Sequence, residues 1–293
     1  TLTCGATAII FPQEDIGICG ATGINPQKFI QLMDGFHPTT TILIPQMLQA
    51  MVGMVEMNSK YLTSMKLIAV GGAPISSQIL NRAEVAGLPV YEGYGLSEST
   101  SVVTVNGPGA SKTGTVGKVL EHIDLKIAGD GEIFVRGSIF KGYLKGGLNH
   151  LDRDGYLPTG DLGVIDEDGF LTIKGRKKNL FITSFGRNVA PEWVESELVA
   201  QLGIIQAAVF GDGKPWNVAV IMASAGADID KAIQQANKSL PDYAQVSAWI
   251  LADEPFLLSN NQLTGTGRLK REGIEAYYQQ SIENIYKLDK EIA

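Results

Sequence analysis

Cysteine and histidine are both scarce in this sequence, and their scarcity argues against several classes of structural and catalytic site. The 293 residues contain two cysteines, Cys4 and Cys19. Two are too few for a disulfide framework, and they lack the Cys-x-x-Cys spacing of zinc or redox sites. The three histidines, His37, His122 and His150, show no Ser-His-Asp order. We therefore expect a protein of the reducing cytoplasm without a catalytic triad.

Long apolar runs and an excess of positive charge are missing as well. No apolar run has the length of a membrane-spanning helix, and the first residues lack the basic-then-apolar order of a signal peptide. Lysine and arginine number 24 against 31 aspartates and glutamates, and the net charge of -7 is spread over many short segments. This pattern argues against a nucleic-acid partner and against a polybasic membrane anchor.

The composition is typical of a soluble, loop-rich α/β protein. Hydrophobic residues make up 44% of the chain, charged residues make up 19%, and there are 34 glycines. A chain of 293 residues has room for about two domains, each large enough to bury its own core.

The N-terminal part alternates predicted strands and helices. Residues 2–11 predict a buried strand without a leader, a cap or a starting methionine, so we expect a chain cut inside a domain. Asn25-Pro26 predicts the start of a helix that Gly35 ends, and residues 41–45 predict the next strand. A Met-rich helix follows, whose methionine stripe favours core packing over the floor of an acyl pocket. The alternation indicates a doubly wound sheet.

Two glycine-bearing segments follow predicted strands in the middle of the chain. Ligands of open α/β sheets bind at the carboxyl ends of strands, where glycine lets a backbone approach closely. The first segment, after a strand at 66–70, is Gly71-Gly72-Ala73-Pro74, which alone indicates no more than a tight turn. The second, after a strand at 89–91, is Glu92-Gly93-Tyr94-Gly95-Leu96-Ser97-Glu98-Ser99-Thr100. Its ring, hydroxyl and carboxylate can stack on a base, contact a phosphate and bind Mg²⁺.

The second segment resembles the adenine and metal loop of the adenylate-forming superfamily, which includes acyl-CoA synthetases, luciferases and the adenylation domains of peptide synthetases. The resemblance implies that Tyr94 stacks on adenine, Ser97 contacts phosphate and Glu98 binds Mg²⁺. Thr is frequent in the family at the Ser97 position, and Ser keeps the hydroxyl. The same resemblance adds six further residues to the nucleotide site: Gly72, Ala73, Pro74, Glu92, Gly93 and Gly95.

Further motifs come in the order of that family. Residues 154–161 resemble its ribose-binding turn, in which Asp161 accepts hydrogen bonds from the ribose hydroxyls, although Asp-Gly is also common in surface hairpins. Residues 169–179 resemble its domain junction, which places Ile173 and Arg176 at the nucleotide and makes Lys178 the hinge. Asn179 departs from the family, where Asp is common.

Two segments near the C-terminus complete the resemblance. Gly186 and Arg187 lie in a loop that lines the path of the CoA pantetheine in the family. Residues 262–271 resemble the C-terminal loop of long-chain acyl-CoA synthetases, with Arg268 in the place of the usual catalytic lysine. Lys270, two positions later, is the alternative catalytic cation.

The resemblance implies an α/β fold with a partial doubly wound large domain and a small β subdomain, followed by a small α+β C-terminal domain. The expected domains are 1–177 and a mobile 178–293. The implied function is that of an AMP-forming acyl-CoA synthetase fragment that uses ATP/AMP, Mg²⁺ and CoA, with a fatty acid as the carboxylic acid partner. Because the family's phosphate-binding loop lies upstream in family order, we expect this chain alone to be inactive or weakly active.

Three other interpretations stay open. The first is an adenylating enzyme that loads an aryl or amino acid on a carrier protein. The second is an inactive homologue that binds a nucleotide or an acyl ligand, an interpretation that Arg268 favours. The third, an unrelated structural α/β protein, requires five ordered motifs to arise by chance.

Overall fold

The computed structural model describes residues 5–19, 23–57, 64–144, 151–265 and 267–288. It begins with a short antiparallel hairpin of β1 (Ile18–Cys19) and β2 (Gly23–Ile24). The strand predicted over residues 2–11 is wrong for its described part, because residues 5–11 form no strand. Ile10 is 87% exposed, since no neighbouring strand or helix covers it within the described residues.

A five-stranded sheet with three helices packed on it forms the first core. Asn25 caps the first helix by accepting a hydrogen bond from the Lys28 backbone N–H, as predicted. Three strands of the sheet are parallel and alternate with helices, and the last two add to it in antiparallel fashion. The elements are α1 (Pro26–Phe36), β3 (Thr40–Leu43), α2 (Pro45–Met57), β4 (Leu67–Val70), α3 (Ser77–Val85), β5 (Val90–Tyr94), β6 (Thr104–Val105) and β7 (Lys118–Val119).

Two boundaries and one burial pattern in this region differ from the sequence predictions. The helix α1 continues through Gly35 and ends after Phe36, where His37 takes a left-handed conformation. The strand β5 extends to Tyr94, because Gly93 and Tyr94 pair with β6. The methionine stripe is mostly core, as favoured, but Met57 at its end is 88% exposed.

A four-stranded antiparallel sheet forms the β subdomain. Its order is β11-β10-β9-β8, with β8 (Asp124–Ile127), β9 (Glu132–Arg136), β10 (Leu157–Ile165) and β11 (Leu171–Arg176). The predicted turn at 154–161 is wrong in its second half, since Asp161 lies inside β10 and pairs with Arg176 of β11. The Asp-Gly turn ends earlier, and alternating burial along β10 shows that one face of the strand packs on the core.

The C-terminal part builds a three-stranded mixed sheet between helices. The elements of this part are β12 (Phe181–Ile182), β13 (Asn188–Val189), α4 (Pro191–Val199), β14 (Ile204–Phe210), β15 (Asn217–Ala223), α5 (Ile229–Asn237), β16 (Val246–Leu251) and α6 (Arg271–Leu288). The three-stranded sheet consists of β14, β15 and β16, and β12 and β13 form a separate hairpin. The helices α4 and α5 pack on one face of the sheet, and α6 packs on the other through Ile274, Tyr278 and Ile282. These three residues form a buried apolar face on α6, and the predicted α/β fold class is confirmed. Within the described residues, no helix has the length and apolarity needed to cross a membrane.

A buried ion pair joins the first turn of α6 to α4. The Arg271 guanidinium donates to both oxygens of Glu195 at 2.6 and 2.7 Å, and Glu195 also accepts from the Val209 backbone N–H at 2.8 Å. Glu192 on the same helix lies 3.5 Å from Arg271 and accepts a hydrogen bond from Asn179. The loop that carries Arg268 ends at this ion pair.

We predict that Arg271→Met lowers the free energy of unfolding by about 3–5 kcal/mol, because it leaves a buried carboxylate without its cation. Urea unfolding of the chain measures the change. Lys287→Met is the matched control, since Lys287 forms an exposed pair with Glu283 at 3.8 Å, and such pairs contribute about 1 kcal/mol or less. Equal losses of unfolding free energy in the two variants would contradict the stabilising role assigned to Arg271.

Candidate nucleotide site

The turn after β4 lies directly against the backbone of β5. A Cβ atom on Gly71 would come within 2.7 Å of the Gly93 carbonyl oxygen, and Gly72 has a φ of +87°, so both positions favour glycine. Gly72, Ala73 and Pro74 are exposed to solvent. The turn therefore presents an open backbone surface at the carboxyl end of a parallel strand, where the sequence predicted a ligand.

The segment after β5 is folded tightly on itself. A Cβ atom on Gly95 would lie 1.6 Å from the Ser101 carbonyl oxygen, so no side chain fits at that position. Ser97 and Glu98 form the start of a short 3₁₀ helix. Ser97 is exposed and Glu98 is half-buried, so both polar groups remain available to a ligand.

Glu92 occupies β5 two positions before Tyr94, with its side chain at a cavity of about 220 Å³ that is also lined by Asn106 and Lys112. Burial raises the pKa of Glu92 to about 8. The carboxyl group is therefore largely protonated at neutral pH and can both donate and accept a hydrogen bond.

Asp161 brings Tyr94 and Arg176 together. Its Oδ2 accepts from the Tyr94 hydroxyl at 2.8 Å, and its Oδ1 accepts from Arg176 Nε at 2.7 Å. Burial, followed by the Asp161 charge, raises the pKa of Tyr94, so the phenol stays a donor. Asp161 is 7% exposed, and its carboxylate is held in one orientation by two partners.

Glu98 lies near two arginines that come from distant parts of the sequence. The hydrogen bond from the Tyr143 hydroxyl, at 2.6 Å, is the largest factor that lowers the pKa of Glu98. The charges of Arg176 and Arg268 lower that pKa further. The C-terminal loop thus brings Arg268 into electrostatic range of the segment after β5.

The other predicted residues are less closely connected to this group. Ile173 packs against the core of the β subdomain, and Lys178 is exposed in the turn between β11 and β12. Gly186 lies in the turn of the β12-β13 hairpin, and Arg187 stacks on the Tyr243 ring at 6.0 Å. The Lys270 ammonium donates to the Asn261 side chain. Among the described contacts, those of Arg187 and Lys270 do not reach Asp161.

Tyr143 is the site residue that sequence reasoning missed. It follows Gly142 in a segment that docks on Glu98, since the Phe140 backbone N–H donates to the Glu98 carbonyl oxygen at 2.7 Å. The phenol and the carboxylate are 45 positions apart in the chain. The sequence signal at this position is the pair Gly142-Tyr143 after a strand rich in apolar residues. No nearby residue indicates that Glu98 is the partner of Tyr143.

Two family models match consecutive parts of the chain. Residues 1–144 match a model described as AMP-binding enzyme, and residues 178–290 match one described as AMP-binding enzyme C-terminal domain. The chain belongs to the AMP-binding enzyme family. The resemblance read from the sequence is therefore confirmed.

Curated relatives of this AMP-binding chain are fatty-acid ligases. Long-chain-fatty-acid–CoA ligase FadD15 of Mycobacterium bovis is 37% identical over 246 residues, which cover 74% of this chain and 41% of the relative. Long-chain-fatty-acid–CoA ligase 6 of Homo sapiens is 32% identical over 267 residues, covering 76% and 38%. The chain thus spans about two-fifths of the length of the curated relatives it matches.

Solved structures of adenylating enzymes share the fold of this AMP-binding chain. The o-succinylbenzoate CoA synthetase of Bacillus subtilis, in complex with an acyl-adenylate intermediate, superposes with a TM-score of 0.70 at 23% identity. That match covers 86% of this chain and 54% of the neighbour. ATP-bound MatB from Rhodopseudomonas palustris superposes with a TM-score of 0.68 at 26% identity, covering 87% and 54%.

We predict that Tyr143→Phe raises the pKa of Glu98 toward its ordinary value, because the hydrogen bond that stabilises the charged carboxylate is lost. Titration of the ¹³C-labelled glutamate carboxyl groups by NMR measures the pKa. Tyr277→Phe, on the exposed part of α6, is the control and should leave Glu98 unchanged. An unaltered Glu98 titration in Tyr143→Phe would mean that the phenol does not stabilise the carboxylate.

Proposed function

We propose that the protein containing this chain is an AMP-forming acyl-CoA synthetase that activates a fatty acid in the cytoplasm. In its first half-reaction the acid carboxylate attacks the α-phosphate of ATP, giving acyl-AMP and pyrophosphate. In the second, the CoA thiol displaces AMP and forms the thioester. The observation that carries the proposal is the convergence of Tyr94 and Arg176 on Asp161, with Glu98 in electrostatic range of Arg176 and Arg268. The chain is also 37% identical to a long-chain ligase over 246 residues.

The site chemistry supports a nucleotide as the shared ligand. In the proposed complex the Tyr94 ring stacks on adenine, and the turn of Gly72, Ala73 and Pro74 covers the opposite face of the base. Asp161 accepts hydrogen bonds from the ribose hydroxyls, which then compete with Tyr94 and Arg176 for its oxygens. Arg176, released in part, stays close enough to neutralise phosphate charge.

The donor set around Glu98 fits Mg²⁺ that arrives with the nucleotide. Within the described residues no group of three or more His, Cys, Asp or Glu side chains could hold a metal ion by itself. Mg²⁺ is commonly bound through one or two carboxylates together with substrate phosphates and water, and Glu98 supplies one such carboxylate. When bound, the ion neutralises charge on the phosphates.

We also propose that the chain divides at about residue 177 into a large unit and a C-terminal unit that rotates about Lys178. Lys178 is exposed in a turn between two strands, which is where hinge residues are found. A rotation of this kind would remove Arg268 from the nucleotide after adenylation and bring the Gly186 and Arg187 loop toward the CoA pantetheine.

The proposal predicts that Asp161→Ala weakens binding of a non-hydrolysable acyl-AMP analogue by about 1–3 kcal/mol, as expected for lost hydrogen bonds to a charged group. Isothermal titration calorimetry on the full-length protein measures the affinity. Asp154→Ala is the control, since its carboxylate is 76% exposed and is 3.8 Å from its cation. Unchanged affinity in Asp161→Ala would refute its assignment to the ribose.

Arg268 favours a second candidate function, that of a homologue that binds nucleotide and acyl ligands with weak turnover. Arginine keeps the charge of the family's lysine, but its planar fork is longer and places the donors differently. Misplacing a catalytic group by about 1 Å can lower a rate on the order of 10²-fold. The electrostatics favour Arg268 as the cation at the site, because its charge lowers the pKa of Glu98, while Lys270 bonds to Asn261.

We therefore predict that Arg268→Lys speeds acyl-adenylate formation by up to about 10²-fold, while Lys270→Ala changes it little. Rapid-quench measurement of acyl-AMP by the full-length protein gives the rate. Thioester formation from preformed acyl-AMP is the internal control and should be similar in all variants. If Arg268→Lys gives no gain and Lys270→Ala abolishes adenylation, Lys270 is the catalytic cation.

A further inference from the structure

The C-terminal half of α4 lies against the N-terminal end of α3. Ser76 caps α3 by accepting a hydrogen bond from the Gln78 backbone N–H at 3.1 Å, and its hydroxyl donates to Glu197 Oε2 at 2.8 Å. The two residues are 121 positions apart, and they are 3% and 2% exposed. A hydroxyl can donate once and accept twice, so Ser76 can serve the helix cap and the contact with Glu197 at once.

Further polar contacts surround this pair. Gln201 Nε2 donates to Gln78 Oε1 at 3.0 Å, and Gln78 Nε2 donates to Ser239 Oγ at 2.7 Å. Gln49 Nε2 of α2 donates to the Val199 carbonyl oxygen at 2.8 Å. These bonds join the segment that matches the AMP-binding model to the segment that matches its C-terminal domain model. These hydrogen bonds form part of the contact between the two units.

Glu197 is an unusual residue to bury at such a contact. Burial raises the pKa of Glu197, and hydrogen bonds from the Ser76 hydroxyl and the Ser77 backbone N–H act in the opposite direction. The interactions that shift this pKa include no cation. A buried carboxyl group without a cation is tolerated only while its hydrogen bonds are made. The contact therefore requires one geometry of the two units, and its hydrogen bonds are lost when the units separate.

The pair also lies next to the candidate nucleotide site. Ser76 is two positions after Pro74, in the turn that the proposed adenine would contact. The same arrangement of the two units holds Arg268 within electrostatic range of Glu98. A single docking contact can therefore connect the nucleotide turn to the position of the C-terminal cation.

We propose that Ser76 and Glu197 form a latch that holds the C-terminal unit in its adenylation position, with Glu197 as a positioning residue for the first half-reaction. This inference rests on the proposed function. The latch keeps Arg268 at the site while acyl-AMP forms, and it opens when the unit rotates for thioester formation. Removal of the latch therefore affects the first half-reaction and spares the second.

The kinetic test compares Glu197→Ala with Glu197→Gln and Ser196→Ala in the full-length protein. Glu197→Ala should slow acyl-adenylate formation about tenfold, the effect expected for one hydrogen bond to a charged group. Its thioester formation from preformed acyl-AMP should stay within about twofold of wild type, a difference too small to represent one such bond. Glu197→Gln keeps an acceptor for Ser76 and should recover most of the first rate. Ser196→Ala removes a hydroxyl that bonds within α4 to the Trp193 carbonyl oxygen and should leave both rates unchanged.

Hydrogen exchange of the Ser77 amide tests the contact independently of turnover. Its protection should fall in Glu197→Ala and persist in Ser196→Ala. Equal slowing of both half-reactions, or no slowing of either, would overturn the latch. A wild-type protein that forms no acyl-AMP would refute the proposed function and the positioning role together. Unchanged Ser77 protection in Glu197→Ala would refute the docking contact itself.

Discussion

The buried carboxylate of Asp161 is the interaction on which the candidate site depends. Tyr94 ends a strand of the five-stranded sheet, whereas Asp161 and Arg176 face each other across two strands of the β subdomain. The hydrogen bond from Tyr94 to Asp161 joins these sheets at the carboxyl end of β5, and the bond from Arg176 holds the carboxylate from within the β subdomain. Because a buried charge is costly without partners, the Asp161 carboxylate constrains the position of both neighbours and prepares a site that a ligand with hydroxyl groups can enter.

The C-terminal unit contributes the positive charge of Arg268 to this site, and an ion pair within the unit holds the loop that carries Arg268. Arg268 is exposed and lies in a loop closed by the pairing of Leu263 with Leu269. The loop is held at its end by the bidentate pair of Arg271 and Glu195 inside the unit. Arg268 is thus presented from a loop that an ion pair within the C-terminal unit anchors at its end.

Among the described residues, several contacts between the two units are hydrogen bonds of polar side chains. Ser76, Gln78 and Gln49 bond to α4 and its neighbours, while Ala200 packs into the first core. Interfaces of this composition are typical of domains that move relative to one another. The arrangement agrees with a proposed cycle in which the same surface is made and broken at each turnover.

The sequence by itself determined the family, the order of the motifs and the elements whose signals are local. Asn25 caps α1, and the strands predicted at 41–45, 66–70 and 89–91 correspond to β3, β4 and β5, because caps and periodicity depend on nearby residues. Tertiary structure decided that Tyr94 and Asp161 lie in strands, since strand identity depends on a partner elsewhere in the chain. It also decided the bonds from Tyr143 to Glu98 and from Ser76 to Glu197. Those partners are 45 and 121 positions apart, and only packing of separate elements brings such groups within hydrogen-bond distance.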